Sequence, residues 1–188
     1  MEKQKDIIKD ILKDSKIRGM IFDFDGTIVN LFVDWSGLKQ QLRDKFLINK
    51  ETSLGKILIE IRDRFGANGL EGAYNLIRDY ELGAIEKATI NEDILEIIKK
   101  CYKKNIKLGI FSSNIKETVY YFLDKLNIRH LFDIVVAKED VEFCKPEIEG
   151  LQLIVDKWEI DKKRLVFIGN DNMDRLCGEK MGIKSLII

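Results

Sequence analysis

The chain has 188 residues, 45% of them hydrophobic and 34% charged, which suits one ordinary domain, or a core with a modest insertion. Its 32 basic residues match 32 acidic ones, so no net charge draws it to nucleic acid or to an anionic membrane, and neither partner is expected. Cys101, Cys144 and Cys177 form no CxxC spacing and leave an odd count, which argues against a disulfide framework and for a reducing, cytoplasmic setting.

In chain order, residues 1–17 come first, charged throughout with Ile7, Ile8, Ile11 and Leu12 on one stripe. This reads as an N-terminal amphipathic helix and not as a signal peptide. No apolar run approaches the ~18 residues that a membrane span needs. Short apolar runs follow at Met20–Phe22, Leu108–Phe111, Ile134–Val136, Val166–Ile168 and Ser185–Ile188. Helical patterns separate them: Ile94 to Cys101 with Asn91 as N-cap, Ile115 to Leu126 with Asn114 as cap, and Ile148 to Trp158. Continuously apolar strands alternating with helices predict a parallel sheet covered on both faces, an α/β, Rossmann-like core over residues 18–32 and 89–188. Residues 33–88 break the alternation. They show only helical patterning, with Leu38, Leu42 and Phe46, then Leu54 to Phe65, then Tyr74 to Tyr80 after three glycines. A small helical domain inserted after the first strand is expected there.

Polar residues fall at the carboxyl ends of four of these runs, where open parallel sheets bind their ligands. Asp23 and Asp25 close the first, and Ser112-Ser113-Asn114 the second. Lys145, before the single proline Pro146, follows the third. Gly169 to Asp174 closes the fourth. Two carboxylates two residues apart disfavour double ionisation unless a cation or a shared proton compensates. With a hydroxyl and a fixed positive charge added, the set fits phosphoryl transfer, where positioning and charge neutralisation supply most of the catalysis.

Asp23-Phe24-Asp25-Gly26-Thr27, Ser112, Lys145-Pro146 and the Gly169–Asp174 stretch resemble, in order, the four motifs of the haloacid dehalogenase-like (HAD) superfamily. Within it the chain resembles the phosphatases with a helical C1-type cap, of the phosphoglycolate phosphatase-like kind. The resemblance implies an Mg²⁺-dependent phosphatase acting on a small phosphorylated metabolite. It makes Asp23 the nucleophile that becomes an aspartyl phosphate, and Asp25 the acid and then the base. Ser112, with Ser113 as the alternative, and Lys145 would hold phosphate. Asp23, Asp25, Asn170 and Asp174 would hold the metal. A phosphomutase with the same intermediate, or a non-catalytic binding module with a weakened metal site, are the other readings.

The fourth motif departs from the family pattern. Asn170 stands at its first Asp position, and a neutral amide is a poorer Mg²⁺ ligand than a carboxylate. A weaker site is expected, with Asp171 as an additional candidate ligand. His130 reads as a surface or core-edge residue, Trp35, Trp158 and Cys101 as packing, and Thr27 as support for its turn. The last apolar run leaves a sheet edge to be covered by the N-terminal helix or by a second subunit, so both a monomer and a homodimer are open.

Overall fold

A computed structural model describes residues 13–188. The expected N-terminal helix lies for the most part outside the described residues. The protein forms two compact units, one of residues 13–30 with Thr89–Ile188 and one of Leu31–Ala88.

In the larger unit five parallel strands stand in the order β5-β4-β1-β6-β7. They are β1 (Gly19–Phe22), β4 (Lys107–Phe111), β5 (Ile134–Val136), β6 (Leu165–Gly169) and β7 (Lys184–Ile187). β1 is central and wholly buried, its Phe22 opposite Ile110 on one side and Ile168 on the other. A strand covered on both faces needs apolar side chains at successive positions, which is what Met20-Ile21-Phe22 provides. Each fully buried side chain of this kind is worth roughly 1.5–3 kcal/mol of transfer free energy. Helices α3 (Glu92–Lys103), α4 (Lys116–Lys125), α5 (Glu149–Trp158) and α6 (Asn172–Met181) connect the strands. Chain order runs outward from β1 to β4 and β5, then returns to β6 and β7. The strand ends of β1 and β6 therefore face the crevice where this order reverses, the usual place for a ligand.

The helix ends show how local chemistry sets them. Asn91 caps α3 as expected, its side-chain oxygen accepting from the Ile94 N–H at 3.3 Å. Asn114 does not cap α4. The carboxylate of Glu139 accepts from the Lys116 N–H instead, at 3.0 and 3.1 Å. The side-chain oxygen of Asn114 is turned to Ser112. α6 opens on a reciprocal pair, Asp171 accepting from the N–H of Asp174 while Asp174 accepts from that of Asp171. It closes on Gly182 in the left-handed region, φ 74°.

One pairing is absent from the sequence reading. β2 (Val29–Asn30) and β3 (Thr89–Ile90) form a two-residue antiparallel ribbon, bracketing the insertion. The insertion itself is helical, α1 (Trp35–Phe46) and α2 (Leu54–Gly83). α2 bends at Gly66, whose φ of 61° and ψ of −153° are open only to glycine. Two expected helices thus run into one kinked helix. Leu38, Leu42, Ile57, Ile61 and Ile77 are buried, and the rings of Phe46 and Phe65 lie 5.5 Å apart. Among the described residues no helix is long and apolar enough to cross a membrane.

Candidate active site

Asp23 continues β1 by one residue, its N–H donating to the Ile168 carbonyl at 2.8 Å. Phe24 turns into the core, its ring 6.0 Å from that of Phe122. Side chains alternate along an extended chain, so burying Phe24 sends Asp23 and Asp25 to the other side. The chain then reverses: the Phe24 carbonyl accepts from the N–H groups of Thr27, Ile28 and Val29. Gly26 sits in this turn at φ 82°. A Cβ there would overlap the Asn170 amide, so both the conformation and the space demand glycine. Gly26→Ala is expected to lower unfolding free energy by roughly 1–3 kcal/mol, read by urea denaturation, and to impair activity by displacing Asn170. Unchanged stability would show the turn to be looser than the structure has it.

Asp23 is 5% exposed. Lys145 donates to its Oδ1 at 2.5 Å. Thr27 Oγ1 donates to its Oδ2 at 3.4 Å, so the hydroxyl reaches the carboxylate while the Thr27 N–H closes the turn. One edge of the Asn170 amide lies 3.1 Å from Asp23 Oδ2 and 3.2 Å from the Asp25 carbonyl, and would bond the two directly only with its Nδ2 on that edge. Lys145 also donates to Asp174 Oδ1 at 2.7 Å. Its ammonium stands over the rings of Phe111 and Phe167, 5.4 and 5.7 Å from their centroids. The Lys145–Pro146 peptide is cis.

Burial first, and then the neighbouring Asp174, push the Asp23 carboxyl from 3.8 up to about 7, against the pull of Lys145. For Lys145 burial works against the charge, but Asp23 and Asp174 more than offset it and hold the ammonium above its ordinary value. Two buried carboxylates against one ammonium leave the cluster a positive charge short. Cys101 and Cys177 are buried thiols pushed up to about 12 by that burial, unsuited to nucleophilic work at neutral pH.

The structure thus joins Asp23, Lys145, Asp174 and Asn170 in one bonded network, with the Asp25 carbonyl beside the Asn170 amide. Asp174, expected among the metal ligands, has both oxygens engaged elsewhere. Oδ1 takes Lys145, and Oδ2 accepts from the N–H groups of Asn170 and Asp171 at 3.0 and 3.2 Å. It holds Lys145 and the start of α6. The i, i+3 spacing of Asp171 and Asp174 before a helix is a capping signature that sequence reasoning could have read. Asp171 spends Oδ1 on the N–H groups of Met173 and Asp174. Ser112, fully buried at the end of β4, donates to Asn114 Oδ1 at 2.9 Å and accepts from the Asn114 N–H at 3.0 Å. Ser113 is half-buried.

Among the described residues no cluster of three or more His, Cys, Asp or Glu side chains forms a metal cage. The donors that do converge are hard oxygens: Asp23 Oδ2, the Asp25 carbonyl and Asn170 Oδ1. Such a set suits Mg²⁺, which is held by one or two carboxylates, substrate oxygens and water. The missing positive charge fits as well.

The family model of haloacid dehalogenase-like hydrolases matches residues 20–188. The pyrophosphatase PpaX of Bacillus pumilus is 27% identical over 181 residues, covering 93% of this chain and 84% of that one. A haloacid dehalogenase-like hydrolase domain-containing protein of Arabidopsis thaliana is 24% identical over 172 residues, covering 89% and 69%. A solved HAD-superfamily hydrolase of subfamily IA from Geobacter sulfurreducens shares the fold, with a TM-score of 0.64 at 18% identity, covering 93% and 88%. Spanning the sheet, the insertion and all four strand ends, the family match shows that this chain belongs to the haloacid dehalogenase-like hydrolases.

Proposed function

We infer that the protein is a Mg²⁺-dependent phosphatase that hydrolyses a small phosphomonoester through an aspartyl phosphate on Asp23. One observation carries this reading. A carboxylate at the end of the central strand is buried in a cluster short of positive charge, with Lys145 fixed 2.5 Å away. Nothing in the packing of the core needs such a group there, and its desolvation is costly.

In this reading an Asp23 oxygen forms a bond to phosphorus as the bond from phosphorus to the leaving oxygen breaks. Asp25 gives its proton to that oxygen, then takes one from the water that attacks the acyl phosphate, returning Asp23 and releasing phosphate. Lys145 steadies Asp23 and neutralises charge on the transferring group. Ser112 donates its hydroxyl to a phosphate oxygen, which requires the bond to Asn114 to be given up. Asp23 Oδ2, the Asp25 carbonyl and Asn170 would hold Mg²⁺, whose charge offsets that of the phosphoryl oxygens. The helical unit Leu31–Ala88 is assigned the part of a cap that selects substrate. Arg62 and Arg64 pair within it to Asp63 and Glu60, so neither is assigned to phosphate.

A second reading rests on the curated relative named as a pyrophosphatase: the same steps cleave a phosphoanhydride. p-Nitrophenyl phosphate and inorganic pyrophosphate, assayed side by side with Mg²⁺, distinguish the two leaving groups. Asp25→Asn is expected to slow turnover of the favoured substrate by about 10²–10⁴-fold. A rate equal to wild type would remove Asp25 from the mechanism. A mutase would return the phosphoryl group to substrate, so seconds-scale loss of it to water favours the phosphatase.

A further inference from the structure

Lys138 is 2% exposed, a rare setting for a lysine that lacks a counter-ion. The acids next to it in sequence are both turned to Lys116. Glu139 accepts from the Lys116 N–H, and Asp140 from the Lys116 ammonium and the Ala137 N–H. Among the described residues the Lys138 ammonium makes no ion pair, and the polar group it reaches is Cys144 Sγ, at 4.0 Å. Its backbone is fixed beside the end of β4, the N–H donating to the Asn114 carbonyl at 2.9 Å.

Cys144 is a free, half-buried thiol. The chain just before it is pinned, the N–H groups of Glu142 and Phe143 donating to Glu149 Oε2 at 2.8 and 3.1 Å. Lys145 follows it directly. The other two cysteines are buried, which pushes their thiols up to about 12. Cys101 Sγ is turned to Met20, and Cys177 Sγ to the Glu147 carbonyl. An oxidant therefore meets Cys144 first, and neither of the other thiols is aimed at it to form a disulfide.

We propose that Cys144 is a modification site for hydroperoxides, converted to a sulfenic acid whose oxygen is held by the buried Lys138 ammonium. The sulfur attacks one peroxide oxygen, and the S–O bond forms as the O–O bond breaks. Sulfur loses two electrons and the peroxide gains them, while the thiol's proton leaves with the second oxygen as water or an alcohol. The gap between the two side chains suits the product. At 4.0 Å sulfur and nitrogen stand too far apart for a strong direct bond. An oxygen set on the sulfur comes within about 2.8 Å of the ammonium, the length of a charge-assisted hydrogen bond. The sulfenic acid gives its proton to solvent, and the sulfenate becomes the counter-ion that Lys138 lacks. A buried charge without a partner is costly, and pairing offsets part of that cost. Oxidation to this step therefore stabilises the fold. One peptide bond from Lys145, it also fastens the segment that carries that residue to Asp23 and Asp174.

The probe is hydrogen peroxide in small excess over protein, with dimedone as the trap for sulfenic acid. Peptide mass spectrometry is expected to find the dimedone adduct on Cys144 and not on Cys101 or Cys177. Without dimedone, oxidised wild type should melt about 2–4 °C above its own reduced form, and dithiothreitol should abolish the difference. Cys144→Ser should show neither adduct nor gain, and Lys138→Met, compared with its own reduced form, should lose the gain. Peroxide that leaves Cys144 unlabelled, joins it to Cys177, or leaves wild type no more stable would overturn the proposal, whatever the variants do. So would a gain of equal size in Lys138→Met. None of these readouts uses turnover, so the phosphatase reading stands or falls separately.

Discussion

Replacing Asp23 by Asn is expected to abolish turnover, by on the order of 10⁴-fold or more, and at the same time to make the metal-free protein more stable above pH 7. The first effect follows from removing the nucleophile. The second follows from burial, which, with Asp174 and against Lys145, moves the carboxyl from 3.8 to about 7. Between those values the folded protein holds a proton that the unfolded chain has released. Stability therefore falls as pH rises from about 4 through 7, and the loss is complete above that. Asparagine keeps the shape and removes the charge. It loses the ion pair with Lys145, but that ammonium retains Asp174 at 2.7 Å. A net gain of about 1–3 kcal/mol at pH 8 is expected, shrinking to nothing near pH 4. The readout is the difference in melting temperature between variant and wild type in chelator across that range. A variant less stable than wild type at pH 8 would show that Lys145 stabilises Asp23 by more than its burial costs.

Lys145→Met should do the reverse, costing about 3–5 kcal/mol at pH 8 because it strands two buried carboxylates. Asp23 and Asp174 have side chains only 7% and 1% exposed, and this one ammonium bonds both. Methionine fills the space over Phe111 and Phe167 but leaves the negative charges uncompensated. The deficit should narrow as pH is lowered through the range in which Asp23 takes up its proton. Adding Asp23→Asn to Lys145→Met should restore much of the stability, a non-additivity that marks a coupled cluster. Turnover should be lost in both proteins. A Lys145→Met protein as stable as wild type at pH 8 would mean that the cluster is hydrated and relaxes around the loss.

The sheet was legible because burial on both faces writes itself as consecutive apolar residues: Met20-Ile21-Phe22 and Val166-Phe167-Ile168 admit little else. The β2–β3 ribbon was not, since Val29-Asn30 and Thr89-Ile90 are too short to show a period. The bend at Gly66 read as a break because one glycine punctuates a loop and a kinked helix alike. At the site, strand ends and residue types pointed to Asp23, Asp25, Ser112 and Lys145. Sequence order could not say which partner each oxygen takes. Asn114 looked like a helix cap because it precedes an apolar stripe, but Glu139, 23 residues away from Lys116, supplies that acceptor. The hydroxyl of Ser112 then claims Asn114. Asp174 is acidic and well placed for a ligand, but the sequence could not show that a lysine 29 residues away bonds one of its oxygens. The orientation of the Asn170 amide depends wholly on neighbours brought together by β1 and β6.

The most direct test is chemical trapping of the covalent intermediate. Wild-type protein is quenched in acid during turnover of its best substrate with Mg²⁺, and the acyl phosphate is reduced with borohydride. The peptide bearing Asp23 is then examined by mass spectrometry. Conversion of Asp23 alone to homoserine is the predicted result, absent when substrate is omitted. Turnover that proceeds with Asp23 unmodified, or with the modification on another carboxylate, would contradict the assignment of this residue as the nucleophile.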